Sequence, residues 1–164
     1  MPELAPSARL QPALLDRLTD LEPETTQESR DRRVLSLRQI KAAVLRDLIW
    51  LLNTGSHRDG ELADMREVER SVLNFGVSSL AGRTASGLRP IELEQMLTAA
   101  ITRYEPRILP RTLKVRVVAD AGIGRPNTVV LEIEGSLWAQ PLPEALYIRT
   151  KVDLETGNFS LEER

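Results

Sequence analysis

Cysteine is absent from the 164 residues, which removes disulfides, thiolate metal sites and cysteine nucleophiles together and fits a reducing compartment. Aromatic residues supply only 4% of the chain, so a core must be aliphatic, built from Leu, Val and Ile. Neither sign of charge is in excess: 22 Lys and Arg face 24 Asp and Glu, a net of -2. A general nucleic-acid surface needs a basic surplus, so nucleic acid is not expected as a partner. No run approaches the roughly 18 apolar residues of a membrane helix, and no basic patch precedes an apolar run at the N-terminus as in a secretory signal. A soluble, cytoplasmic protein without direct membrane insertion is the expectation.

Histidine occurs once. His57 sits in a polar loop beside Arg58 and Asp59, and one histidine cannot build a metal site alone. Ala121-Gly122-Ile123-Gly124 follows a strand but lacks a third glycine and a following helix, so it reads as a turn rather than a phosphate loop. No cofactor and no metal is implied.

What the chain does contain is a change of period. Pro12 to Leu18 offers a short amphipathic turn with Leu14, Leu15 and Leu18 on one side. Residues 21 to 33 are almost wholly polar and read as a solvated linker, so residues 1–34 form an arm, either a plain tail or a docking segment, and 35–164 form the domain. A helix starts near Ser36 with Gln39 in capping-box spacing. Its stripe is Leu37, Ile40, Val44, Leu48, Leu51 and Leu52, and Asn53-Thr54-Gly55 ends it. A second helix is expected from Asp64 to Gly76, carrying Met65, Val68, Val72 and Leu73. A third follows Pro90 with Ile91, Leu93, Met96, Leu97, Ala100 and Ile101 inward, and Pro106 stops it.

Beyond Pro110 the period becomes two. Leu113, Val115 and Val117 alternate with Lys114 and Arg116; Val129, Leu131 and Ile133 with Thr128, Val130, Glu132 and Glu134. Leu146, Ile148 and Val152 alternate with Tyr147, Arg149 and Lys151, and Phe159 and Leu161 with Asn158, Ser160 and Glu162. An acidic second strand between two basic ones predicts an antiparallel 1-2-3-4 meander, because opposite charges across a pair contribute about 0.2 to 1 kcal/mol. Glu155-Thr156-Gly157-Asn158 suits the last hairpin. The expected architecture is α+β, three main helices packed on one face of a four-stranded antiparallel meander.

The junction between the two periods is Tyr104-Glu105-Pro106-Arg107. Proline fixes the exit angle, and Glu and Arg flank a rigid corner. The pair reads either as a local brace of the turn or as a charged feature presented to a partner. A glycosidase acid must be held protonated. A cation two residues from Glu105 works against that, and no aromatic platform for a sugar is visible.

Taken in order, Leu14-Leu15-Asp16-Arg17-Leu18, Arg46-Asp47-Leu48, Trp50-Leu51-Leu52-Asn53-Thr54, Ser71-Val72-Leu73-Asn74-Phe75-Gly76 and Tyr104-Glu105-Pro106-Arg107 resemble TssE. That family comprises baseplate subunits of the bacterial type VI secretion system and is related to the sheath-initiating wedge protein of contractile-tailed phages. The resemblance covers residues 9 to 161. It implies a non-enzymatic structural component with TssF and TssG as wedge neighbours and TssB and TssC as sheath partners. It also implies docking through Tyr104, Glu105, Pro106 and Arg107. Sheath initiation would follow by strand addition, with Asn158, Phe159, Ser160 and Leu161 as the candidate sheet edge, although the first strand also qualifies. The family's lysozyme-like label implies the alternative of a peptidoglycan hydrolase using Glu105.

Overall fold

In the computed structural model, residues 13–19, 24, 37–57, 64–84, 87–118, 127–138 and 143–162 are described. The stretch expected as a polar linker at 21–33 apart from Glu24, the expected helix-capping Ser36, Asp59, and the turn expected at 121–126 lie outside them. The described architecture is α+β: four helices and one four-stranded antiparallel sheet in the order β1-β2-β3-β4. The helices are α1 (Leu14–Leu18), α2 (Leu37–Asn53), α3 (Arg66–Arg70) and α4 (Pro90–Tyr104), and the strands are β1 (Lys114–Val118), β2 (Thr128–Leu137), β3 (Glu144–Asp153) and β4 (Phe159–Glu162).

The periodicity of α2 is realised with one shift. Ile40, Ala43, Val44, Leu48, Leu51 and Leu52 are buried, while Leu37, expected inside, is 43% exposed at the helix start. In α4, Leu93, Leu97, Ala100 and Ile101 are buried, but Ile91 is exposed in the first turn. Pro90 opens this helix at a position where its missing N–H costs nothing. α4 lies against β1 and α2 against β4, and their apolar stripes join Val115, Leu131, Ile133, Ile148 and Val152 in one aliphatic core. Val130 departs from the expected alternation, being fully buried yet outside that core cluster.

The second expected helix does not form as one element. α3 spans five residues and buries none of them, and its N-cap is Met65, without a side-chain cap bond, rather than Asp64. The chain turns extended at Ser71 and resumes as a single 3₁₀ turn, Val72–Asn74. Ser71 Oγ donates to the Val68 carbonyl at 2.9 Å and accepts from Leu73 N–H at 3.2 Å. A short hydroxyl side chain thereby competes with the helical ladder and ends it. Met65, Val72 and Leu73, expected inside, therefore point to solvent. Two long helices, not three, form the layer over the sheet.

Two glycines permit close approaches that hold this layer together. Gly76 has φ +132°, and a Cβ there would stand 2.3 Å from the Thr54 carbonyl oxygen. Without a side chain, Val77 N–H reaches Thr54 O at 2.9 Å and Ser56 N–H reaches Val77 O at 3.0 Å, which stitches the loop to the end of α2. A Cβ on Gly135 would stand 3.0 Å from Ile108 Cγ2, where the segment after α4 crosses β2.

Register follows the charge pattern. Lys114 pairs with Glu134, Arg116 with Glu132, Glu132 with Arg149, and Arg149 with Glu162. The last hairpin closes where expected, with Gly157 N–H donating to Asp153 O at 2.7 Å and Asp153 N–H to Asn158 O at 3.0 Å. That latter bond turns Asn158, Ser160 and Glu162 toward β3, so Phe159 and Leu161 aim their backbone groups outward.

Candidate functional site: an ion-paired corner and two helix-tended sheet edges

The Tyr104–Arg107 corner gathers α1, α2, α4 and β2. Glu105 is the C-cap of α4; its N–H completes the helix to Ile101 O at 2.9 Å. A carboxylate at this end faces the negative pole of the helix and needs a cation. Arg107 supplies one. Its Nε donates to Glu105 Oε1 at 2.6 Å, its Nη2 bonds Glu105 Oε2, and its backbone N–H reaches Oε1 at 3.2 Å. Glu105 is only 3% exposed. Pro106, between them, is exposed.

The pair is one end of a longer chain of alternating charge. Arg107 Nη2 also donates to Asp47 Oδ2 at 2.6 Å, Asp47 Oδ1 accepts from Arg46 Nε at 2.9 Å, and Arg46 Nη1 donates to Asp16 Oδ1 at 2.6 Å. Glu105, Arg107, Asp47, Arg46 and Asp16 thus tie α4, α2 and α1 into one ionic line. Burial pulls the Arg107 guanidinium toward neutrality, but the hydrogen bonds and charges of Glu105 and Asp47 outweigh it and raise its pKa above the ordinary arginine value. The Asp16 hydrogen bond leads the causes that raise Arg46, with burial opposing and Asp47 adding to it. Arg46 further lies over the half-exposed Trp50 ring, 5.2 Å from its centroid. On α1 itself, Leu14 and Leu18 are exposed, so the ionic contact of Asp16 rather than a leucine stripe joins it to α2.

Tyr104 faces the other way. Its hydroxyl lies 2.8 Å from Asn74 O and 3.1 Å from Ser71 O, and its ring meets Phe75 edge-on at 5.3 Å. Arg103 covers the ring and donates to Glu69 O at 3.1 Å. Buried Asn74 completes the cluster, accepting from His57 N–H at 2.9 Å and donating to Glu69 O at 3.2 Å. His57 itself is exposed, and among the described residues no group of three metal-ligating side chains occurs.

Past the corner the chain pairs with β2: Leu109 N–H donates to Ser136 O at 2.9 Å and Trp138 N–H to Arg107 O at 2.7 Å. Thr112 Oγ1 accepts from Ser136 N–H at 2.8 Å. The corner is therefore held from both sides, by the ions and by the sheet.

Both edge strands are touched by a helix side chain. At β4, Asn53 of α2 accepts from Phe159 N–H at 2.8 Å and donates to Phe159 O at 3.1 Å. Of the candidate edge residues, Phe159 is buried, Ser160 exposed and Leu161 half-buried, and Asn158 precedes the strand. At β1, Glu94 of α4 accepts from Val117 N–H at 2.8 Å. In the sequence Asp16, Arg46 and Asp47 stand out only as parts of motifs, and neither the Asn53 side chain nor Glu94 stands out at all. The signals present were polar residues within helix patterns, which resemble any solvated position until the partner strand is placed.

The sequence matches the family of baseplate wedge protein gp25 over residues 38–142, the segment running from α2 through the corner and β2. The chain belongs to that family of baseplate wedge proteins, to which TssE is the type VI homologue, and its role is that of a structural baseplate part. No curated protein and no solved structure gives a significant match to the chain.

Proposed function

We propose that the protein is a non-catalytic type VI secretion baseplate subunit of the TssE kind, working in the cytoplasm. Its ion-paired corner docks on the wedge proteins TssF and TssG, and its sheet edge starts the sheath of TssB and TssC by strand addition. The observation that carries this reading is the gp25-family match spanning a corner that the fold makes rigid. Pro106 is exposed and Arg107 retains 26% of its side-chain surface, so a partner meets a fixed proline and a guanidinium whose position three carboxylates set, Glu105 and Asp47 directly and Asp16 through Arg46. Preorganised groups of this type lose little entropy on binding. Glu105 has both oxygens engaged by Arg107 and almost no exposed surface, which supports bracing rather than acid catalysis at that carboxyl.

The test is a pull-down with co-expressed TssF and TssG using Pro106→Glu and Arg107→Ala, each first checked for a cooperative unfolding transition. Folded variants that lose capture are the expected result. Unchanged capture by both would remove the docking role.

A further inference from the structure

We infer that the β1 edge, not the β4 edge, receives the partner strand, that the incoming segment alternates acidic with apolar residues, and that Glu94 is the latch it displaces. This rests on the strand-addition reading of the proposed function. On β2, Ser136 turns its N–H and C=O toward the β1 side, so Glu134 and Glu132 do too, and their partners Lys114 and Arg116 face β2. Val115 and Val117 then aim their backbone groups out of the sheet. Val117 N–H confirms this direction, since it reaches Glu94 on α4 and not β2.

Alongside this edge runs a groove of about 860 Å³ between α4 and β1, whose lining includes Ile91, Glu94, Gln95, Thr98, Leu113 and Val115. A strand laid in it would place alternate side chains on the two faces of the sheet. On one face they would meet the exposed Lys114 and Arg116; on the other, the exposed Ile91 and the small Thr98. The complement of the first is acidic and of the second apolar. β2 already shows this solution on the inner side of β1, with Glu132 and Glu134 opposite Arg116 and Lys114 and with the alternate residues Leu131 and Ile133 buried opposite Val117 and Val115.

The β4 edge is the poorer acceptor. Each edge strand turns two residues outward, Phe159 and Leu161 on β4 and Val115 and Val117 on β1, but Asn53 occupies both the N–H and the C=O of Phe159. At β1 a single carboxylate holds a single N–H, so a partner carbonyl needs to displace only Glu94.

Because the chain has no cysteine, single thiols report cleanly. Gln95→Cys in the groove and Ser160→Cys beside β4, each carrying a photoreactive benzophenone maleimide, are irradiated with the TssB–TssC heterodimer. An adduct from Gln95→Cys alone is expected. An adduct from Ser160→Cys, alone or alongside, overturns the edge assignment while leaving strand addition standing; adducts from neither overturn strand addition itself. In a binding assay Glu94→Ala should capture the heterodimer roughly tenfold more tightly, since a charge-assisted hydrogen bond no longer competes. Unchanged or weaker capture would refute the latch. Arg116→Glu should weaken capture several-fold through like-charge opposition, and equal capture would refute the acidic pattern.

Discussion

Replacing Arg107 by methionine isolates the energetic role of the corner. The side chain keeps its length but loses the guanidinium, so Glu105, 3% exposed, is left with the backbone N–H of residue 107 as its remaining donor within the corner. Breaking a buried ion pair from one side costs about 3 to 5 kcal/mol. The lower end applies, because Arg107 keeps a quarter of its surface in water and Asp47 retains Arg46. Removing the carboxylate's charge as well, in Glu105→Gln/Arg107→Met, should recover about 2 kcal/mol of that loss. Urea unfolding followed by far-ultraviolet circular dichroism measures both, with an unchanged slope confirming that the same surface is exposed. Should single and double variants be equally unstable, Glu105 would not be the buried charge that Arg107 neutralises, and the corner would be held by its sheet contacts alone.

Gly76→Ala should be destabilised by more than about 3 kcal/mol, because the backbone is in a glycine region and the new Cβ meets a carbonyl oxygen; near-normal thermal melting would contradict that geometry. Asn53→Ala should cost about 1 to 3 kcal/mol and raise hydrogen exchange at the Phe159 amide selectively, since that N–H loses its acceptor. Tyr104→Phe should cost about 1 kcal/mol and leave wedge capture intact, its hydroxyl being turned to the 71–74 loop. The Arg107 pKa is raised in the fold, so its contribution is fully present below the ordinary arginine value and is lost only above it. The destabilisation of Arg107→Met relative to wild type should therefore not fall between about pH 7 and pH 10, as paired urea titrations would show. Purified protein should not clear a peptidoglycan suspension, and clearing abolished by Glu105→Gln would overturn the non-catalytic reading.

The sequence alone determined the elements whose cause is local. Pro90 and Pro106 bracket α4; the switch to alternating residues after Pro110 marks the sheet; and the acidic β2 between basic neighbours sets strand order, because cross-strand pairing reads charge directly. The 64–76 segment escaped this reasoning: its apolar spacing is helical, yet Ser71 competes with the ladder and Gly76 must touch Thr54, a contact from a distant segment. For the same reason Val72 and Leu73 looked like core and lie in water. The corner was legible as a rigid stop with a nearby ion pair, but not its extension through Asp47 and Arg46 to Asp16, which needs α1 and α2 laid beside the end of α4. Nor could the pattern say that Asn53 and Glu94 tend opposite edges of the sheet. Periodicity reports which face of an element is buried; which neighbour meets it, and which backbone groups are already taken, is decided only when the helices are set across the strands.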